Sequence, residues 1–141
     1  MTKLPPDDAF ELAIDVTERD VDDQGHASNV AVVRWFGRGA YAHSAALGWD
    51  LDRYRESGAW FVVRRHEIDY HAYARLGDRL VLTTWPNELG KATAERHHVL
   101  RREADGALIA AGRNVWAYVD VDSGRPRRIP DHLRALFCPP K

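Results

Sequence analysis

The loop of residues 20–29 reads Asp-Val-Asp-Asp-Gln-Gly-His-Ala-Ser-Asn and leads into a long apolar segment. It combines a carboxylate (Asp22), a glycine turn, an imidazole ring (His26) and an amide at the helix start (Asn29). The start of a helix presents backbone N–H groups without intrahelical acceptors and a partial positive charge. A carboxylate beside such donors can attack a carbonyl that they polarise, or direct water to attack it. This loop is therefore the strongest candidate site in the chain.

The segment 30–47 predicts one long helix that ends at Gly48, a residue typical of the position after a helix. Apolar side chains occur on most sides of this helix, which is the pattern of a buried helix. Gly37 and Gly39 lie inside it, and each costs a helix about 1 kcal/mol relative to Ala. We therefore expect another backbone to approach the helix closely at these glycines. Asn29 has the chemistry of an N-cap for the same helix.

The remainder of the chain predicts strands joined by short turns. Alternation and β-forming residues indicate strands over 10–16, 60–70, 80–85, 92–102 and 108–121. A short helix or turn is expected over 50–57 and a terminal helix over 130–136. The order predicts a single domain, 1–141, of class α+β, with one long buried helix wrapped by a curved antiparallel β-sheet. Open sheet edges favour pairing of two subunits edge to edge.

The composition restricts the partners of the protein. Lys plus Arg number 20 and Asp plus Glu number 21, a balance that argues against a nucleic-acid-binding protein. No window approaches the roughly 20 apolar residues that span a bilayer, so no membrane partner is expected. The single cysteine, Cys138, cannot form an internal disulfide, which indicates a reducing compartment. We expect a cytoplasmic protein.

Four stretches, in order along the chain, resemble hotdog-fold acyl-CoA thioesterases of the 4-hydroxybenzoyl-CoA thioesterase type. The first is the 20–29 loop with Val-Val-Arg-Trp-Phe at 32–36. The second is Phe-Val-Val-Arg-Arg-His-Glu-Ile-Asp-Tyr at 61–70 with Ala-Arg-Leu-Gly-Asp at 74–78. The others are Glu-Leu-Gly-Lys-Ala at 88–92 and Gly-Arg-Pro-Arg-Arg-Ile-Pro at 124–130. The resemblance covers nearly the whole chain.

This resemblance implies a hotdog fold, hydrolysis of an acyl-CoA thioester without a cofactor, and a site at the interface of a homodimer that often pairs into a homotetramer. The acidic residue of the family falls on Asp22, and its carbonyl-polarising backbone N–H falls near Asn29. Two departures stand out. Asn29 takes the place where many relatives have a histidine, and Gly37 takes the place where they often have a glutamate. Asp22 therefore has no obvious second carboxylate to help it.

Further residues complete the predicted site. His26 either orients water, holds Asp22 or contacts the acyl group, or it serves only to bond the loop. Lys91 matches a family position near the path of CoA, and Arg65 offers a cation for its phosphates. With Val63 of the same strand as Arg65, these residues are expected to contact the substrate.

No metal site is predicted, because adjacent strand residues such as His97 and His98 point to opposite faces and cannot easily share one ion.

Three functions remain open at this point. The first is thioester hydrolysis, on acyl-CoA or on an acyl carrier protein. The second is hydration or dehydration of an acyl thioester on the same fold, with an Asp and a His acting on the α and β carbons. The third is binding of an acyl thioester without catalysis.

Overall fold

The computed structural model describes residues 4–138. Within this range the fold consists of three α-helices, a short 3-10 helix (Glu18–Asp20) and five strands. In chain order the α-helices and strands are β1 (Phe10–Asp15), α1 (Asn29–Ala46), α2 (Leu51–Ser57), β2 (Ala59–Tyr70), β3 (Arg79–Leu89), β4 (Thr93–Arg102), β5 (Leu108–Asp120) and α3 (Asp131–Phe137). The predicted elements are all present, and the main difference is β3, which continues beyond Trp85 to Leu89.

The strands form one antiparallel sheet in the order β1-β3-β4-β5-β2. Helix α1 packs on one face of this curved sheet, which confirms the predicted α+β architecture. The two edges are β1 and β2. Strand β2 is the longer edge, with 12 residues that pair on one side with β5 and present their other side unpaired among the described strands.

The ends of α1 follow from local chemistry. The Ser28 hydroxyl oxygen accepts a hydrogen bond from the Ala31 N–H at 3.1 Å, so Ser28 is the N-cap. The prediction of Asn29 as the cap is therefore wrong by one residue, because Ser28 has the extended backbone of an N-cap and Asn29 is already the first residue of the helix. Gly48, with φ of +94°, follows the last turn in the left-handed conformation that favours glycine.

Burial of α1 is confined to the side that faces the sheet. The side chains of Val32, Trp35, Phe36 and Ala40 are buried there, whereas Val30 on another side is 63% exposed. The apolar pattern predicted burial on most sides. The single sheet layer covers only one side of the helix, so the remaining apolar residues line an open surface.

The two helical glycines behave differently. A Cβ on Gly39 would overlap the Leu82 side chain of β3, whereas a Cβ on Gly37 would meet no atom of the described chain within 4 Å. A close approach is thus present at Gly39, but the approaching group is a side chain and not the predicted backbone. At Gly37 the prediction of a close approach is wrong, because this residue faces open space.

Two hydrophobic clusters hold the domain together. The larger one lies between α1 and the sheet and includes Phe36, Leu82 and Leu100. The smaller one lies near the C-terminal end of α1, where α2 and α3 bring Tyr54 and Leu133 against β5. The smaller cluster also forms one wall of a cavity.

The glycine pair yields a test of α1 packing. Gly37→Ala should stabilise the protein by up to about 1 kcal/mol, because Ala favours helix and the site is open. The free energy of unfolding of Gly39→Ala should be about 1–3 kcal/mol lower than that of Gly37→Ala, because Leu82 is fully buried and cannot move aside freely. Chemical denaturation of both variants measures the difference. Equal stabilities would contradict the packing at Gly39.

Candidate active site

The 20–29 loop folds as a small hairpin. Val21 pairs with Ala27, and the Asp22 N–H donates to the His26 carbonyl at 2.8 Å. The Asp22 carboxylate accepts bonds from the N–H groups of Gln24 at 2.9 Å and His26 at 3.2 Å. Both bonds fall on the same oxygen, Oδ1. Asp22 therefore organises the hairpin through one oxygen, and its side chain lies at an exposed position.

The neighbouring acid, Asp20, has a different role. It is only 7% exposed, and its carboxylate accepts bonds from the N–H and hydroxyl of Thr17 and from Arg34 at 2.6 Å. Burial raises the pKa of Asp20, but the Thr17 and Arg34 bonds outweigh burial and lower it overall. The Asp20 carbonyl also accepts the Ser28 N–H at 2.9 Å. Asp20 thus ties the loop to the first turns of α1.

The start of α1 lies close to the end of β2. By their position, the N–H groups of Asn29 and Val30 have no acceptor within their own helix. The Tyr70 hydroxyl donates to the Asn29 carbonyl at 3.2 Å. Asp22, His26 and Asn29 therefore belong to one loop and helix junction beside Tyr70.

The His26 ring stacks on the Tyr73 ring, with centroids 4.2 Å apart and planes 11° apart. The backbone next to it is paired with the segment that precedes β3, since the Ala27 N–H donates to the Ala74 carbonyl at 2.7 Å. These contacts fit the interpretation in which His26 has a structural role and holds the loop in place.

Lys91 lies at the other end of the sheet. It is in the turn between β3 and β4, and its carbonyl accepts the Ile129 N–H at 2.8 Å. The adjacent Ala92 carbonyl accepts the Tyr118 N–H, whereas Tyr70 pairs with Ala110. The two positions on β5 are eight residues apart, which corresponds to roughly 25 Å at the rise of a strand. The structure therefore does not bring Lys91 to Asp22 within one protomer.

Arg65 and Val63 flank a bulge in β2. Arg65 is in register with Val115, and Val63 with Trp116, whose ring meets the Tyr41 ring of α1. Val63 thus lies on the face that carries α1. Arg65 lies on the opposite face, where it pairs with Glu67 at 3.6 Å.

One flank of α1 is exposed at Val30 and Tyr41, and a Cβ on Gly37 of the same flank would meet no described atom within 4 Å. The sequence did not reveal this open flank, which lies beside β2 and β5. The Tyr70 bond to Asn29 spans it at the helix start, and the edge-on contact of Tyr41 with Trp116, at 5.9 Å, spans it further along. We call this feature the α1 groove.

A cavity of about 290 Å³ adjoins the far end of the α1 groove. It lies between the C-terminal half of α1, helices α2 and α3, and the ends of β2, β3 and β4. Its walls are largely aromatic, formed by Tyr41, Tyr54, Trp60, Phe61, Trp116 and Phe137. The polar side chains that reach it include Arg96 and Ser44.

Arg96 is 7% exposed, and its Nη1 donates to the His43 ring at 3.0 Å and to the Thr84 hydroxyl at 3.3 Å. Because a guanidinium only donates, His43 accepts through Nδ1. Burial, with help from the nearby Arg96 charge and against that of Asp8, lowers the pKa of His43 to about 4. Burial lowers the pKa of Arg96 to about 10, so Arg96 is cationic and His43 neutral at pH 7.

Two further polar side chains are buried beneath α1. The His98 ring stacks on Phe36 with centroids 4.4 Å apart, and Asn114 accepts a bond from the Trp116 indole at 2.6 Å. Within residues 4–138, no group offers the His98 nitrogens or Asn114 Nδ2 a hydrogen bond of good geometry. Burial lowers the pKa of His98 to about 3, although the adjacent Asn114 raises it. His97 stacks on Trp85 on the other face, as the strand pattern predicted.

Among residues 4–138, no three His, Cys, Asp or Glu side chains are grouped so that they could hold a metal ion. No helix in that part of the chain has the length and hydropathy to cross a membrane. Burial raises the pKa of the Cys138 thiol, which disfavours its thiolate.

Comparisons with known proteins agree with this architecture. Residues 16–137 match the thioesterase-like superfamily, and the chain belongs to that family. A chloroplastic acyl-[acyl-carrier-protein] hydrolase of Cuphea viscosissima is 29% identical over 79 residues, 56% of this chain and 19% of that protein. A chloroplastic oleoyl-acyl carrier protein thioesterase of Arabidopsis thaliana is 28% identical over 85 residues, 58% of this chain and 23% of that protein. The chain thus spans about a fifth of the length of these relatives.

Solved structures share the fold along most of the chain. The 1,4-dihydroxy-2-naphthoyl-CoA thioesterase of Synechocystis has a TM-score of 0.85 at 14% identity, covering 92% of this chain and 96% of that one. A hypothetical protein of Staphylococcus aureus, solved in complex with CoA, has a TM-score of 0.83 at 16% identity. The match covers 91% of this chain and 80% of that one. The predicted hotdog fold and the resemblance to hotdog thioesterases are confirmed.

The buried histidines predict an acid-sensitive fold. Both folded-state pKa values lie below the ordinary value of 6.5, so the unfolded chain binds more protons as the pH falls. The free energy of unfolding should therefore be highest above pH 6.5 and fall towards pH 4.5, by on the order of 2 kcal/mol for each of the two histidines. Denaturation at several pH values measures the slope.

His98→Phe, which keeps a ring against Phe36, should flatten this slope. His71→Gln, at an exposed position, is the matched control and should keep the wild-type slope. A wild-type slope in His98→Phe would show that His98 is not the source.

Proposed function

We propose that this member of the thioesterase-like superfamily hydrolyses an acyl thioester at the start of α1. Asp22 acts as general base or nucleophile, and the backbone N–H groups at Asn29 polarise the carbonyl. The observation that carries the proposal is the junction itself. An exposed carboxylate is anchored in a loop that ends at a helix start, and that start opens onto the α1 groove.

The geometry of Asp22 suits either form of the reaction. Because two N–H donors bind Oδ1, the carboxylate is held in one orientation while Oδ2 takes no part in either of these bonds. As a base, Oδ2 takes a proton from water while the water oxygen attacks the carbonyl carbon. As a nucleophile, Oδ2 attacks the carbon directly, and water then cleaves the resulting anhydride. In both forms the helix N–H groups stabilise the oxyanion, and the thiolate leaves and takes up a proton.

The group that carries the acyl chain in the substrate is either CoA or an acyl carrier protein. The plant relatives are named for acyl carrier protein thioesters, and the Synechocystis and Staphylococcus aureus structures are named for CoA. A CoA thioester is the substrate that the resemblance favours. A cytoplasmic location stays a prediction.

We further propose that the active unit is at least a homodimer, formed through the exposed edge of β2. Edge strands with free backbone groups readily pair with another chain. The distance of Lys91 from Asp22 within one protomer supports this arrangement, because Lys91 can serve such a site only from the partner subunit. Pairing of dimers into a homotetramer also stays a prediction.

Substitution of Asp22 separates its catalytic and structural roles. Asp22→Asn keeps an oxygen for the Gln24 and His26 bonds, so its unfolding temperature should match the wild type. Its kcat/KM for thiol release from acyl-CoA should fall about 10²–10⁴-fold, because the amide cannot take a proton. Asp22→Ala should lose the same activity and also about 1 kcal/mol of stability.

Asp23→Asn is the matched control, since Asp23 is an exposed acid of the same loop, and it should retain wild-type turnover. Wild-type turnover in Asp22→Asn would remove Asp22 from its assigned role. Hydration of an enoyl-CoA without thiol release would support the hydratase alternative. Tight acyl-CoA binding without turnover would support the non-catalytic one.

A further inference from the structure

The cavity at the end of the α1 groove contains a cation that the proposed hydrolysis does not use. Three charged residues line this cavity. Arg55 is exposed and pairs with Asp52 at 3.2 Å, and Glu95 is bound by Arg113 at 2.8 Å. Arg96 is the third. It is buried, and no carboxylate of residues 4–138 lies within ion-pair distance of it.

The contacts of Arg96 leave much of its donor capacity open. A guanidinium has five N–H donors. Within the described residues, Arg96 donates through Nη1 to two neutral acceptors, His43 and Thr84. Its neighbour along β4, Glu95, points to the other face and pairs there. The guanidinium of Arg96 is therefore not paired directly with a carboxylate in the described chain.

An uncompensated buried charge is unfavourable, and proteins normally supply a partner for it. The aromatic walls of this cavity offer few groups that could hold a water network around the guanidinium. The volume of about 290 Å³ corresponds to roughly ten groups of the size of a water molecule in the liquid. These features together fit a ligand that brings an anionic group on an apolar body.

We propose that this cavity binds an apolar carboxylic acid, with the carboxylate on Arg96 and the hydrocarbon against the aromatic walls. Such a carboxylate has two possible sources. One is the far end of a long acyl group that carries a second carboxylate, and this source rests on the proposed function. The other is a free acid, such as the product of thioester hydrolysis.

The α1 groove supplies a path for the first source. Tyr41 follows Asn29 by twelve residues, about 18 Å along a helix. Gly37 lies between them, and the space that a side chain would fill there is empty among the described residues. A long acyl chain with its thioester at the helix start would therefore lie past Gly37 and place its far end at Arg96.

Binding of dodecanoate and dodecanol tests the proposal without any turnover. Trp60 and Trp116 line the cavity, so their fluorescence reports occupancy. The wild-type protein should bind dodecanoate about 10–100-fold more tightly than dodecanol, the effect of a hydrogen-bonded charge pair. Arg96→Met should abolish this preference and leave dodecanol binding unchanged.

Two further variants keep the result interpretable. Arg101→Met removes an exposed arginine of the same strand and should keep the wild-type preference. Ala94→Phe fills the cavity and should weaken both ligands, which tests the location even if Arg96→Met does not fold. Equal affinities of the wild type for the two ligands, failure of both to bind, or a preference retained in Arg96→Met would each overturn the proposal.

Hydrolysis then identifies the source of the carboxylate. The substrates are hexadecanoyl-CoA and the mono-CoA thioester of hexadecanedioic acid, whose extended chains are long enough to span this length of helix. If Arg96→Met lowers kcat/KM for the dicarboxylic substrate only, the carboxylate is the far end of the acyl group. If it weakens dodecanoate binding without this selective loss, the cavity holds a free acid. Absence of any hydrolysis would contradict the proposed function and leave the binding result intact.

Discussion

The buried carboxylate of Asp20 is the constraint on which the candidate site depends. It accepts bonds from Thr17 and Arg34, and the carbonyl of the same residue accepts the Ser28 N–H. One residue therefore connects the end of the first strand, the loop and the first turns of α1. The hairpin that carries Asp22 is held against a fixed helix start because of these bonds. Without them the loop would be positioned only by its internal bonds and by its contacts with residues 73–76.

Some sheet positions that face α1 carry polar side chains, so the core between helix and sheet is not entirely apolar. Arg96, His98 and Asn114 all lie on the helix-facing side of β4 and β5, and all are buried. Apolar residues in their places would give a more stable core, because buried polar atoms without full bonding reduce stability. Natural proteins tolerate such departures mainly at functional sites. Their position along the α1 groove is consistent with that interpretation.

The sequence predicted where helices and strands lie better than it predicted which of their side chains face the core. Alternation located the strands, but the predicted range of β3 stopped at Trp85, just before Pro86. The strand continues through it because a bulge between Pro86 and Glu88 absorbs the missing donor. Arg96 was not singled out, since it stands in a polar run that reads as a solvated strand. Only the register, which places it opposite Pro86 and Asn114, puts it beneath α1.

The position of α3 affects when the cavity is assembled during synthesis. Its Phe137 forms part of the wall and its Leu133 completes the smaller hydrophobic cluster, yet α3 follows all five strands in the sequence. On the ribosome, the sheet and α1 emerge first, while the aromatic wall beside Tyr54 still faces solvent. The cavity therefore acquires its complete wall only as the last described helix leaves the exit tunnel and docks. A nascent chain at that stage has its sheet but not its pocket.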